Sequence, residues 1–75
     1  MKLFTTNSCP SCQTVKQSPL FKKWVHQIRV VNLDFEPQET QALYATGSRS
    51  VPTLIDGQSM FVGADSILRY LSVLG

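Results

Sequence analysis

Cys9-Pro10-Ser11-Cys12 is the segment that most restricts what this chain can become, and its two thiols are the only cysteines present. They follow a short β-like stretch, Lys2-Leu3-Phe4-Thr5, and open a helix-like one. A cysteine pair with two intervening residues, set between strand and helix, reads as a dithiol that cycles between thiol and disulfide. Ser8-Cys9-Pro10 places Cys9 at the helix N-cap and Pro10 at the first helical position, where a missing N–H costs nothing. The free amides and the positive end of the helix dipole then favour the Cys9 thiolate. Cys12, one turn inward, is placed to attack a mixed disulfide at Cys9. The spacing thus supplies a nucleophile and a resolving thiol.

Two blander readings fare worse. A purely structural disulfide here closes a very short loop, where the entropic gain is small. A structural zinc site wants four nitrogen or sulfur ligands, and only His26 is available as a third. No metal is expected.

Seventy-five residues make a single domain, 1–75, near the lower size limit for an unassisted core. Hydrophobic content of 43% is enough for such a core. The net charge of +2 comes from scattered lysines and arginines, with no basic run interleaved with aromatics, so nucleic acid is not an expected partner. The apolar run at the N-terminus is too short for a signal peptide, and no stretch approaches a membrane span. The expected setting is cytoplasmic and reducing. The chain is expected to act as a monomer.

Lys2–Thr5 reads as a first strand. Pro10 to about His26 reads as a helix with Val15, Leu20, Phe21 and Trp24 on its apolar side, broken near Ser18 by Pro19. Arg29–Leu33 reads as a second strand. A helix over Pro37–Ala45 follows, with Leu43 and Tyr44 turned inward and Gly47 as its stop. Thr53–Ile55 and Ser59–Val62 read as strands joined at Asp56-Gly57. A last helix begins at Ala64 or Asp65, with Ile67, Leu68, Leu71 and Leu74 at helical spacing. Trp24, Phe35 and Tyr44 are expected in or against the core, and His26 at the surface or a helix end. The order β-α-β-α-β-β-α implies an α/β protein whose four-stranded mixed sheet carries helices on both faces.

This arrangement resembles the thioredoxin fold and, in its shortest form, the glutaredoxin family. Cys9-Pro10-Ser11-Cys12 stands where glutaredoxins carry Cys-Pro-Tyr-Cys, Lys16 fits their pattern, and Ser50-Val51-Pro52-Thr53 resembles their cis-proline segment. The C-terminal third, Val51–Gly57 and Ala64–Leu71, also resembles the glutathione-binding half of glutathione transferases, without their helical second domain. The resemblance implies a glutathione-dependent thiol–disulfide oxidoreductase. Its catalytic residues are Cys9 and Cys12. Ser11, Val51, Pro52, Asp65 and Ser66 are implied as glutathione-binding residues. Lys16 is a further candidate beside the thiolate. Arg49 is the candidate for the glycine carboxylate of glutathione, because Thr6 stands where the family often has lysine. Glutathione is the implied reductant and co-substrate, and disulfide-bearing proteins the implied substrates. Two alternatives share the resemblance. One is an electron donor to ribonucleotide reductase recharged by thioredoxin reductase. The other is a glutaredoxin that pools cysteines and glutathiones around an iron–sulfur cluster.

Overall fold

Residues 1–74 are described by a computed structural model, and Gly75 lies outside the described residues. Strand β1 (Lys2–Thr5) leads through a short loop to helix α1 (Pro10–Gln17). Ser18 is extended, with φ −70° and ψ 139°, and ends one helix while starting the next. Its N–H donates to the Val15 carbonyl at 3.1 Å. Its hydroxyl accepts from the Leu20 N–H at 3.2 Å, satisfying a free amide of helix α2 (Pro19–Trp24). The break expected from Pro19 is therefore complete, and a 3-10 turn, Val25–Gln27, carries the exposed His26.

Strand β2 (Arg29–Asn32) pairs parallel with β1, Phe4 opposite Val31. A 3-10 turn over Pro37–Glu39 precedes helix α3 (Thr40–Ala45). Gly47, at φ +97°, donates its N–H to the Tyr44 carbonyl and closes α3 in the left-handed conformation that glycine adopts freely. Strands β3 (Thr53–Asp56) and β4 (Ser59–Val62) form a hairpin, and β3 runs antiparallel to β1. Helix α4 (Ala64–Leu74) closes the chain. The sheet order is β2-β1-β3-β4. This is a thioredoxin-like α/β fold.

Side chains alternate across strands, and the two faces of this sheet are covered unequally. Leu3 and Leu54 project to the side packed by α1, α2 and α4, where Val15, Phe21, Ile28, Ile67 and Leu71 complete the larger cluster. Phe4 and Val31 project to the other side and meet Leu43 of α3, with Val51 and Ile55 packed against them.

Two aromatic expectations need correction. Tyr44 is 50% exposed, and Phe35 76%. Helix α3 begins only after the 3-10 turn and is six residues long, so it presents Leu43 alone as a buried side chain. Tyr44 lies alongside and is covered by the Arg49 guanidinium, 5.2 Å from its ring centre. Phe35 sits on a turn closed by its own N–H and that of Glu36 on the Asn32 carbonyl, which carries it clear of the sheet. Leu74 is likewise exposed at the end of α4, whereas Trp24 is half-buried against the larger cluster.

Candidate redox site

Cys9 caps helix α1 from an extended backbone, φ −110° and ψ 104°, with Pro10 next in line. Cys9 and Cys12 are joined by a disulfide, their Cα atoms 5.2 Å apart. The Cys12 N–H donates to the Cys9 sulfur at 3.1 Å, so the sulfur occupies the place of the side-chain oxygen at an ordinary N-cap. Cys9 is 9% exposed and Cys12 is fully buried. An incoming sulfur therefore reaches Cys9 first.

Facing the disulfide is the Val51 carbonyl oxygen, 3.7 Å from the Cys9 sulfur. The Val51–Pro52 bond is cis, as the resemblance implies. Pro52 is buried and Val51 half-buried beside it. A hydroxyl network that sequence reasoning missed braces this loop. The Ser48 and Thr53 hydroxyl oxygens are 2.9 Å apart. Thr53 also donates to the Ser50 carbonyl at 2.6 Å, and Ser48 accepts the Ser50 N–H at 3.2 Å. Both residues are buried, so their hydroxyls must find partners within the protein. The Gly63 N–H donates to the Pro52 carbonyl at 2.9 Å and ties the loop to the end of β4.

The loop before Cys9 is held from the other side by a second group that the sequence did not reveal. Asp34 accepts the Asn7 N–H at 2.7 Å. The Asn32 amide donates to the Asn7 side-chain oxygen at 2.7 Å, and the Asp34 N–H donates to Asn32 at 2.9 Å. Strand β2 thereby fixes the segment that presents the first cysteine.

The remaining sequence candidates are distributed around this centre. Ser11 is exposed within the first turn of α1, and Lys16 is half-buried in its last turn. Arg49 is exposed two residues before Val51 and rests on Tyr44. Asp65 and Ser66 are both exposed in the first turn of α4. Ile67 donates its N–H to the Gly63 carbonyl at 3.1 Å, so the earlier amides of α4 lie beyond the start of the helical ladder. Among the described residues, no cluster of three or more His, Cys, Asp or Glu side chains is placed to hold a metal ion.

Residues 3–73 match the family described as the glutathione S-transferase N-terminal domain. The chain belongs to this family. The match runs over both the cysteine-bearing and the C-terminal segments of this transferase-family domain. Comparison with curated protein sequences gives no significant match. Among solved structures, the glutaredoxin-like protein NrdH-redoxin from Escherichia coli superposes with a TM-score of 0.76. It shares 24% sequence identity, over 99% of this chain and 92% of that one. NrdH-redoxin is described as having a thioredoxin-like activity profile. Family and fold together make the chain a thioredoxin-fold member of the glutathione S-transferase N-terminal domain family, with a close cysteine pair.

Proposed function

We propose that this protein is a glutathione-dependent thiol–disulfide oxidoreductase acting through Cys9 and Cys12. The observation that carries the reading is the Cys9 sulfur, seated at the start of α1 with the Cys12 N–H donating to it at 3.1 Å. In the reduced protein that amide and the helix dipole favour a thiolate at Cys9. The thiolate attacks a substrate disulfide. A Cys9–substrate disulfide forms, and one substrate sulfur leaves as thiolate. Cys12 then loses its proton and attacks the Cys9 sulfur, releasing the second substrate thiolate and forming the Cys9–Cys12 disulfide. Two electrons have passed to the substrate. Two glutathione thiols return them and leave as glutathione disulfide.

The transferase-family match supports glutathione as the reductant. In this reading Val51 pairs with the glutathione backbone by strand addition, beside the cis Pro52. The opening amides of α4 take the γ-glutamyl carboxylate near Ser66, and Asp65 takes the ammonium group. Ser11 and Arg49 line the remaining approach. Disulfide-bearing proteins are the substrates, and a reducing compartment such as the cytoplasm suits a dithiol that must be regenerated. No helix among the described residues is long and apolar enough to cross a membrane.

A second reading is favoured by one observation, the thioredoxin-like activity profile given for the superposed NrdH-redoxin. In this second reading thioredoxin reductase recharges the dithiol, and ribonucleotide reductase is a substrate. The deciding experiment mixes the oxidised protein with glutathione, or separately with NADPH and thioredoxin reductase, and follows thiol release. Fast reduction by glutathione supports the first reading. Reduction only by the flavoenzyme supports the second, and reduction by neither sinks both.

A further inference from the structure

Strand β4 is the outermost strand beside β3, so its far edge has no neighbour in the sheet. The bond from the Gly63 N–H to the Pro52 carbonyl makes Pro52 and Gly63 a hydrogen-bonded pair. The same register sets Leu54 opposite Phe61 and Asp56 opposite Ser59. Antiparallel pairs alternate between bonded and non-bonded. Ser59 and Phe61 therefore direct their main-chain groups to β3, while the N–H and C=O groups of Met60 and Val62 face outward. Proteins commonly blunt such an edge with charge or proline, and Ser59–Val62 contains neither.

The side chains at this edge are apolar on both faces. Met60 and Val62 are 41% and 40% exposed, on the α3 side with Ile55 and Thr53 opposite them. Phe61 lies on the α4 side, packed against the larger cluster. There an open groove of about 330 Å³ is lined by Phe61, Ser66, Arg69, Tyr70 and Val73. Its floor is firm. Tyr70 stacks on Phe61 with ring centres 4.0 Å apart, and its hydroxyl donates to Asp56. Its rim is cationic. Arg69 is exposed, and among the described residues no carboxylate lies within salt-bridge distance of it.

We propose that the β4 edge accepts an extended segment of a partner protein as an added strand. A large apolar side chain of that segment enters the groove over Phe61 and Tyr70, and an acidic side chain meets Arg69. Side chains on one face of a strand recur at every second residue. The recognised segment therefore carries its apolar and acidic residues two positions apart. Main-chain bonds to Met60 and Val62 supply affinity, and the groove supplies selectivity. Charge decides the occupant. A second copy paired edge to edge about a two-fold axis would place both copies of α4, each carrying an exposed Arg69, on one side of the joined sheet and add like net charge to like. An acidic segment complements the same rim and the net charge of +2. The surface uses neither cysteine and not Val51, and Ser66 at its margin is the one residue it shares with the proposed glutathione contacts.

The test titrates isotope-labelled oxidised protein with a capped, threonine-rich peptide of about nine residues, carrying phenylalanine and glutamate two positions apart. The Met60 and Val62 amides should shift and exchange more slowly with solvent. Alanine in place of the peptide phenylalanine should weaken binding roughly tenfold or more. Lysine in place of its glutamate should weaken it by up to about fivefold, and Arg69→Glu in the protein should reverse that preference. Silent Met60 and Val62 amides, shifts confined to Cys9 and Val51, or an unchanged preference in R69E would each overturn the proposal. Concentration-dependent shifts at Met60 and Val62 without peptide, with doubling of the sedimenting mass, would overturn it in favour of a second copy.

Discussion

The Cys12 N–H donates to the sulfur of Cys9, one helical turn before it, at 3.1 Å. A single backbone amide thus serves as helix cap and as the group that marks one sulfur of the pair as different from the other. The buried Cys12 has no comparable access to an incoming reagent.

Cys9 is therefore expected to react first. In the reduced protein, limiting iodoacetamide should label Cys9 before Cys12, as read by peptide mass mapping. Cys9→Ser should abolish disulfide reduction, and Cys12→Ser should accumulate mixed disulfides. Labelling of Cys12 first would exchange the two roles.

Asp65→Ala should weaken glutathione-driven turnover roughly ten- to a hundredfold, the worth of one charge-assisted hydrogen bond. Dithiothreitol-driven turnover should stay close to that of the parent, because Asp65 is exposed. A parallel fall in both activities would identify Asp65 as a helix-stabilising residue. No change in either would favour recharge by thioredoxin reductase.

Tyr70 links α4 to the β3–β4 hairpin through Asp56. The hydrogen bond to the Asp56 carboxylate, followed by burial and the nearby negative charge, raises the Tyr70 phenol above its ordinary 10.0. The neutral phenol is the favoured form in the folded protein. Its contribution to stability is complete below the unfolded-state value and is lost as pH rises through the folded-state value. Phenolate absorbance in a Tyr44→Phe background should titrate above 10.0, the ordinary value, in the folded protein. Stability should fall through that alkaline window, and the fall should be smaller in Tyr70→Phe. Titration at the ordinary value would remove the Asp56 contact from solution.

Leu71→Ala should cost about 2–5 kcal/mol, the range for emptying a buried leucine site. Leu71 is fully buried in the larger cluster. Against a total stability of roughly 5–15 kcal/mol for a domain, this is a substantial share. Denaturant unfolding should show the loss. A value near zero would mean that α1, α2 and α4 repack around the gap.

What was legible in the sequence was what local chemistry decides. Pro10 marks a helix start, because proline at a first helical position forfeits no bond, and Pro19 marks a break near Ser18, because proline inside a helix removes one. Gly47 marks a stop that requires positive φ. The order of strands and helices discloses a sheet covered on both faces, as the two buried clusters show. The exposure of Tyr44 and Phe35 was not legible. An aromatic residue is buried only if another layer reaches it, and the extent of α3 and the turn after Asn32 decide that. Nor were Ser48, Thr53, Asn7 and Asp34 visible as supports of the site. Their value lies in pairings between segments distant in sequence, and polar residues in loops carry no periodic signature.

The unequal cover of the sheet has a consequence for how the molecule breathes. On the α3 side the buried set is Phe4, Val31 and Leu43, against the larger cluster on the other face. Regions that bury little apolar surface open at lower free energy than the whole domain unfolds. Amide exchange should therefore reveal α3 as a separate, weaker cooperative unit, while β1, α1 and α4 hold their protection. Val51, which faces Cys9, packs on that weaker unit. Transient detachment of α3 would loosen one wall of the disulfide and leave the helix that caps its sulfur in place.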